Sequence, residues 1–177
     1  IETSKKIKAS YVEIRADKSS SMITKKSLLC PSYHNKHHYL KIDGSLDKIR
    51  KRFHRNSIDR QISKASKSGF KVKVGEDLTD LLDFYRVFTQ TRVRLSLPTI
   101  PYIFFKSLWF SLHSLGLLSL VLITYKDRTV GANLILQFKD LAAVEYSADD
   151  ESLRRNGVNQ LLWWESIKLA HEQGYEK

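Results

Sequence analysis

"LLSLVLITYKDRTVGANLILQFKDLAAVEYSA", residues 117–148, decides the fold. It contains three apolar stretches separated only by the polar turns "KDRT" (126–129) and "KD" (139–140). Turns this short join antiparallel neighbours, because a parallel crossover needs about a dozen residues or more. The stretch predicts a three-stranded antiparallel meander, and its first strand has the β-branched content of a buried one. In the third strand, simple alternation places Ala143, Glu145 and Ser147 on one face and Val144 and Tyr146 on the other. Glu145 sits in what reads as an otherwise apolar central strand. Buried, its pKa would rise and it would serve as a general base; at a solvated rim it would not.

Upstream of the meander the pattern is helical. "YIFFKSLWFSLHSLG" (102–116) is an aromatic-rich helix closed by Gly116, and "LPTIP" (97–101) separates it from a helix spanning Leu78 to about Arg94. Asp77 caps that helix, with Leu81, Leu82, Tyr85 and Phe88 as the expected buried stripe. "VKV" (72–74) is a short strand. Before it, "SIDRQISKASKSG" (57–69) reads as a helix capped by Asn56 or Ser57 and ended by Gly69. Its inner side carries Ile58, Ile62 and Ala65, its outer side Arg60, Lys64 and Lys67. Ser45 caps a further helix with Leu46, Ile49 and Phe53 on one face. Residues 10–15 and 37–43 alternate as strands, with a Ser/Lys-rich loop after the first.

Downstream lies "RRNGVNQLLWWESIKLAHEQG" (154–174), two arginines, a turn and a helix. Helical projection puts Leu162, Trp163, Ser166, Ile167 and Ala170 on the core face. Leu161, Trp164, Glu165, Lys168, His171 and Glu172 fall opposite, with Lys168 and Glu172 as an i,i+4 pair. The unpaired amides of a helix start suit an anion, Gly157 removes a Cβ, and Arg154 and Arg155 add charge. A plain surface turn is the other reading of the same residues. Gly174 then leads toward a further strand, so the fold reads as continuing beyond Lys177.

Composition bounds the function. With 42% apolar and 28% charged residues the chain is globular in character. Its one cysteine, Cys30, allows neither an internal disulfide nor a Cys-based zinc site and fits a reducing compartment. No apolar run is long enough to span a bilayer, so any membrane contact is expected at the surface. Residues 1–75 hold 19 Lys+Arg against 6 Asp+Glu, whereas residues 76–177 hold 11 against 13. The basic half suits a polyanion or simply a solvated face. His34, His37 and His38 cluster without a further ligand at metal spacing, so no metal site is expected. Glycine patterns of hydrolases, P-loop NTPases and dinucleotide-binding folds are absent.

The order of elements, with "NGVNQLLWWESIKLAHEQGY", "NSIDRQISKASKSGFKV" and "FYRVFTQTRVRLSLPTIPYIFFKSLW", resembles the FemA/FemB/FemX-like branch of the GNAT acyltransferase superfamily. The resemblance covers residues 55–177. It implies an α/β (α+β) fold with a mixed, largely antiparallel sheet flanked by helices, as part of a tandem pair. Residues 1–43 would be closing strands of a preceding copy and 44–177 a second copy, truncated at its last strands. It further implies transfer of an acyl or aminoacyl group to an amine, in peptidoglycan or other cell-envelope polysaccharide synthesis. Acyl-CoA and aminoacyl-tRNA are the implied donors, and no resident cofactor follows. The acceptor would be a cell-wall or glycan precursor with a diphosphate, met in the cytoplasm at the inner face of the membrane.

Candidate catalytic residues are Glu145 and Tyr146. Candidate substrate and donor contacts are Arg60, Lys64, Arg92, Arg154, Arg155, Gly157 and Asn159. One departure from the superfamily's donor loop stands out: Arg154 to Asn159 gives Arg-x-x-Gly-x-Asn, with bulkier Asn159 where a second small residue is usual. Coenzyme A binding is thereby put in question. Two other readings remain open, an acetyl-CoA-dependent N-acetyltransferase and a non-catalytic, GNAT-like polyanion-binding module.

Overall fold

The computed structural model describes residues 38–177. The strand expected at 10–15, His34 and His37, and most of the segment 1–43 lie outside the described residues.

Ser45 opens α1 (Leu46–Lys51), its hydroxyl accepting the Lys48 N–H. A π-helical turn, Arg55–Asp59, then runs into α2 (Arg60–Ser66). The cap expected at Asn56 or Ser57 lies further upstream: His54 Nδ1 accepts the Ser57 N–H at 3.3 Å. The imidazole thus takes the role assigned to the smaller polar side chains. After β1 (Lys71–Val74), Asp77 caps α3 (Leu78–Arg94), accepting the N–H groups of Thr79 and Asp80 at 2.8 and 3.0 Å. α4 (Tyr102–Leu112) closes through a 3₁₀ turn at Gly116. The meander follows as β2 (Leu118–Tyr125), β3 (Arg128–Phe138) and β4 (Leu141–Asp149). A 3₁₀ turn, Glu151–Asn156, leads into α5 (Val158–Glu172).

The strands form one sheet in the order β1-β2-β3-β4, every pair antiparallel. Lys126 and Asp127 both have positive φ, as a two-residue hairpin turn matching the strand twist requires. Helices cover both faces. On one, α1, α2 and α5 bury Ile49, Ile62 and Leu162 against Val121, Ile123 and Ile135. On the other, α3 and α4 bury Phe84, Phe88 and Phe105 against Leu120, Leu122 and Leu134. β2 is covered on both sides, which is why it reads as a continuous apolar run.

Four expectations change. β4 lies at the edge of the sheet among the described residues rather than at its centre. On α3, Phe84, Val87 and Thr91 join Leu81 and Phe88 in burial, while Leu82 is exposed and Tyr85 only partly covered. On α5, Trp164 is 6% exposed and Trp163 42%, the reverse of the projected faces, and Leu161 is buried too. The cause is α1 and the residues after it: Phe53 meets Trp164 edge-on at 5.8 Å and the Arg50 guanidinium lies 5.4 Å from its ring. Lys168 pairs with Glu165 at 2.6 Å instead of Glu172.

Residues 38–43 form no strand, yet the Ile42 N–H donates to Glu176 O at 2.9 Å. Beyond Gly174 the backbone runs beside the start of β4, Glu176 N–H donating to Asp140 O and Ala142 N–H to Lys177 O.

Candidate active site

The meander carries one irregularity that matters for chemistry. Leu134 pairs with Tyr146 but Ile135 pairs with Val144, so Glu145 is an extra residue with no partner opposite. This is a β-bulge, which disrupts the ladder and re-aims the neighbouring side chains. Simple alternation therefore fails. Val144 packs into the core beneath α5, while Tyr146 packs on the α3–α4 side. Glu145 is exposed at the bulge, and the buried-carboxylate reading of it does not hold.

Tyr146 is set among aromatic rings, edge-on to Phe88 at 5.7 Å and to Phe105 at 5.1 Å. Burial, and secondarily the Glu145 charge, holds its phenol above the ordinary tyrosine range, with Arg92 opposing the shift. Arg92, Glu145 and Tyr146 thus form one electrostatic group. The Arg92 guanidinium is steadied by two hydrogen bonds to Pro98 O, at 2.9 and 2.8 Å.

Three residues further along β4, Asp149 is 8% exposed and was not singled out from the sequence. Arg154 grips it with two parallel hydrogen bonds, at 2.5 and 2.7 Å, and Arg94 approaches it at 3.8 Å. Its carbonyl also accepts from Thr91. The acid pins the strand end to both α3 and the 3₁₀ turn. Arg154 is accordingly committed to the protein's own carboxylate. Arg155 is exposed and its guanidinium has no partner among the described residues, while its carbonyl accepts from Lys64 Nζ at 2.8 Å. Lys64 and Arg155 are brought together; Arg60 stays on the outside of α2, with a long bond to Asn56. Glu151, Ser152, Arg154 and Arg155 line an open depression of about 480 Å³.

Gly157 has φ +81°, and a Cβ there would lie well inside van der Waals contact of Gln61 O and 3.3 Å from Ala65 Cβ. Its missing side chain admits α2, so the glycine is explained by packing without any ligand. Among the described residues no side chain caps α5, whose first turn holds half-buried Asn159. The anion-binding potential of this turn therefore rests on the helix start, Arg155 and Lys64.

An antiparallel meander, a bulge in its last strand and a cationic turn into a helix are now all in place, and residues 52–177 match the model of the acetyltransferase (GNAT) domain. The chain belongs to the GNAT acetyltransferase family. No curated protein sequence matches it. Among solved structures, FemX is similar to this GNAT domain with a TM-score of 0.70 at 15% identity, over 77% of this chain and 50% of that one. The C-terminal domain (DUF2156) of a protein named as a lysylphosphatidylglycerol synthetase, from Agrobacterium fabrum, gives 0.52 at 12% identity, over 72% and 42%. At these identities the likeness is one of fold. The chain spans about half the length of the FemX chain. It is a transferase domain of GNAT type. None of its described helices is long and apolar enough to cross a membrane.

Proposed function

We propose that this GNAT domain takes part in Fem-like transfer of an activated acyl or aminoacyl group to an amine of a cell-envelope precursor. The observation that carries the reading is the β4 bulge, which sets Glu145 and Tyr146 on the strand that runs into the cationic turn. The amine nitrogen attacks the donor carbonyl, and a backbone N–H freed at the bulge stabilises the oxyanion. Glu145, exposed at the bulge, takes the amine proton. Tyr146, which keeps its proton to higher pH than a free tyrosine, gives one to the leaving group.

Arg155, the α5 amides and Lys64 attract the phosphate-bearing end of the donor, with Arg154 positioning the turn through Asp149. Arg60 and Arg92 extend the cationic surface toward a diphosphate-bearing acceptor, and Asn159 favours a donor other than coenzyme A. Aminoacyl-tRNA is the donor that fits this reading; acetyl-CoA is the alternative. Contact with the inner face of a membrane belongs to the same reading.

The test is product formation by the full-length protein, followed by mass spectrometry, with acetyl-CoA or aminoacyl-tRNA and an amine-bearing, diphosphate-linked glycan. Tyr146→Phe is expected to lower kcat about 100-fold with little change in donor KM. Because its folded pKa is raised, the tyrosine stays protonated as pH climbs, so the alkaline fall in kcat lies above about pH 10. Arg155→Glu is expected to raise donor KM about tenfold at unchanged kcat. A Tyr146→Phe protein with full kcat removes the proton-donor role, and absence of product with either donor removes the proposal.

A further inference from the structure

The end of α3 at Val93, the turn after it and the outer face of α4 form a surface to which the transfer chemistry assigns no residue. Residues 84–126 contain no Asp or Glu. Within them Val93, Leu95, Leu97, Ile103, Phe104 and Phe110 are all exposed, Val93 at 68%, Ile103 at 66% and Phe110 at 63%. Isolated apolar residues on a surface need no explanation, but here they concentrate on two helix ends and the turn between them.

α4 makes the case sharper. Its inner side buries Phe105 and Trp109 in the core. Its outer side presents Ile103 and Phe110, two helical turns apart, with Phe104 on the flank. The outer side is interrupted only by Ser107, whose hydroxyl donates back to Ile103 O, so the helix carries bulky apolar residues on both its inner and its outer side. Lys106 rises beside this outer face, its Nζ 5.9 Å from the Phe110 ring centre, and it has no acidic partner among the described residues. Apolar side chains flanked by the uncommitted Lys106, on a stretch free of acids, complement one surface chemistry: hydrocarbon beneath negatively charged headgroups.

We propose that the α3–α4 turn and the outer face of α4 form a peripheral docking surface for an anionic lipid bilayer. Ile103 and Phe110 enter the headgroup–acyl boundary, while Lys106 meets the lipid phosphates. Phe104, on the patch flank, stands 6.4 Å from the Tyr146 ring, so docking brings the bulge close to the membrane plane. The surface gives a place to the membrane contact of the proposed function and rests on that reading in this respect, but its test needs no turnover.

The full chain is sedimented with phosphatidylcholine vesicles, with and without phosphatidylglycerol, at low and at moderate salt. Binding to the anionic vesicles is expected, with part of it persisting at moderate salt because of the apolar contribution. The double variant I103S/F110S should weaken binding about tenfold or more. Lys106→Glu should weaken it several-fold on anionic vesicles only. All three side chains point away from the core, so circular dichroism and thermal melting should match the parent protein. Lys67→Glu, on the basic outer side of α2, should bind as the parent does. Four results overturn the proposal: the parent stays in the supernatant with every vesicle; I103S/F110S binds as tightly as the parent; Lys67→Glu is the variant that loses binding, which means adsorption by the basic α2 face; or the parent self-associates and I103S/F110S abolishes that alone, which assigns the face to a second copy.

Discussion

Gly157→Ala is expected to destabilise the domain by about 3 kcal/mol, from left-handed backbone strain together with overpacking against α2. The added Cβ meets Gln61 O, a backbone atom of α2, so relief requires moving a helix rather than rotating a side chain. Gly174→Ala is the matched control. It shares the left-handed backbone, φ +83°, but a Cβ there meets nothing within 4 Å, so only about 1 kcal/mol is expected. Urea denaturation monitored by tryptophan fluorescence compares the two, with m-values checked for constancy. Equal losses would mean that close approach of α2 contributes nothing, and would restore a ligand-binding explanation of the glycine.

Trp164→Ala is expected to cost about 3–4 kcal/mol, and Trp163→Ala less than about 1 kcal/mol. Trp164 fills the space between α5 and α1, against Phe53 and Arg50, and its removal leaves a cavity that short α1 cannot close. Trp163 loses mostly solvent-facing contact. The same denaturation series measures both. A larger loss at Trp163 would place α5 in the rotation that its hydrophobic projection suggested.

The difference between the two tryptophans shows where sequence reading stops. Leu161, Leu162, Trp163 and Trp164 are consecutive, so apolar periodicity leaves α5 with a wide band rather than a marked stripe. Which part of that band is buried depends on where α1 lies, and α1 is more than 100 residues away along the chain. The Glu145 bulge has the same origin. Alternation along β4 is a property of one strand, whereas the bulge is a property of its register against β3. No residue type in "LAAVEYSA" announces it. The Arg154–Asp149 clasp likewise forms only once the 3₁₀ turn folds the chain back, and it converts an apparent ligand contact into a brace.

The sequence by itself determined what short-range physics determines. Tight turns made the strands antiparallel, Asp77 and Ser45 started their helices, and the charge distribution kept α2 basic on its outer side. Tertiary structure alone decided which cations stay unpaired, which glycine is demanded by packing, which tryptophan is core and where the ladder breaks. Each of those depends on what a distant segment places opposite a residue, and neighbours in sequence carry no record of it.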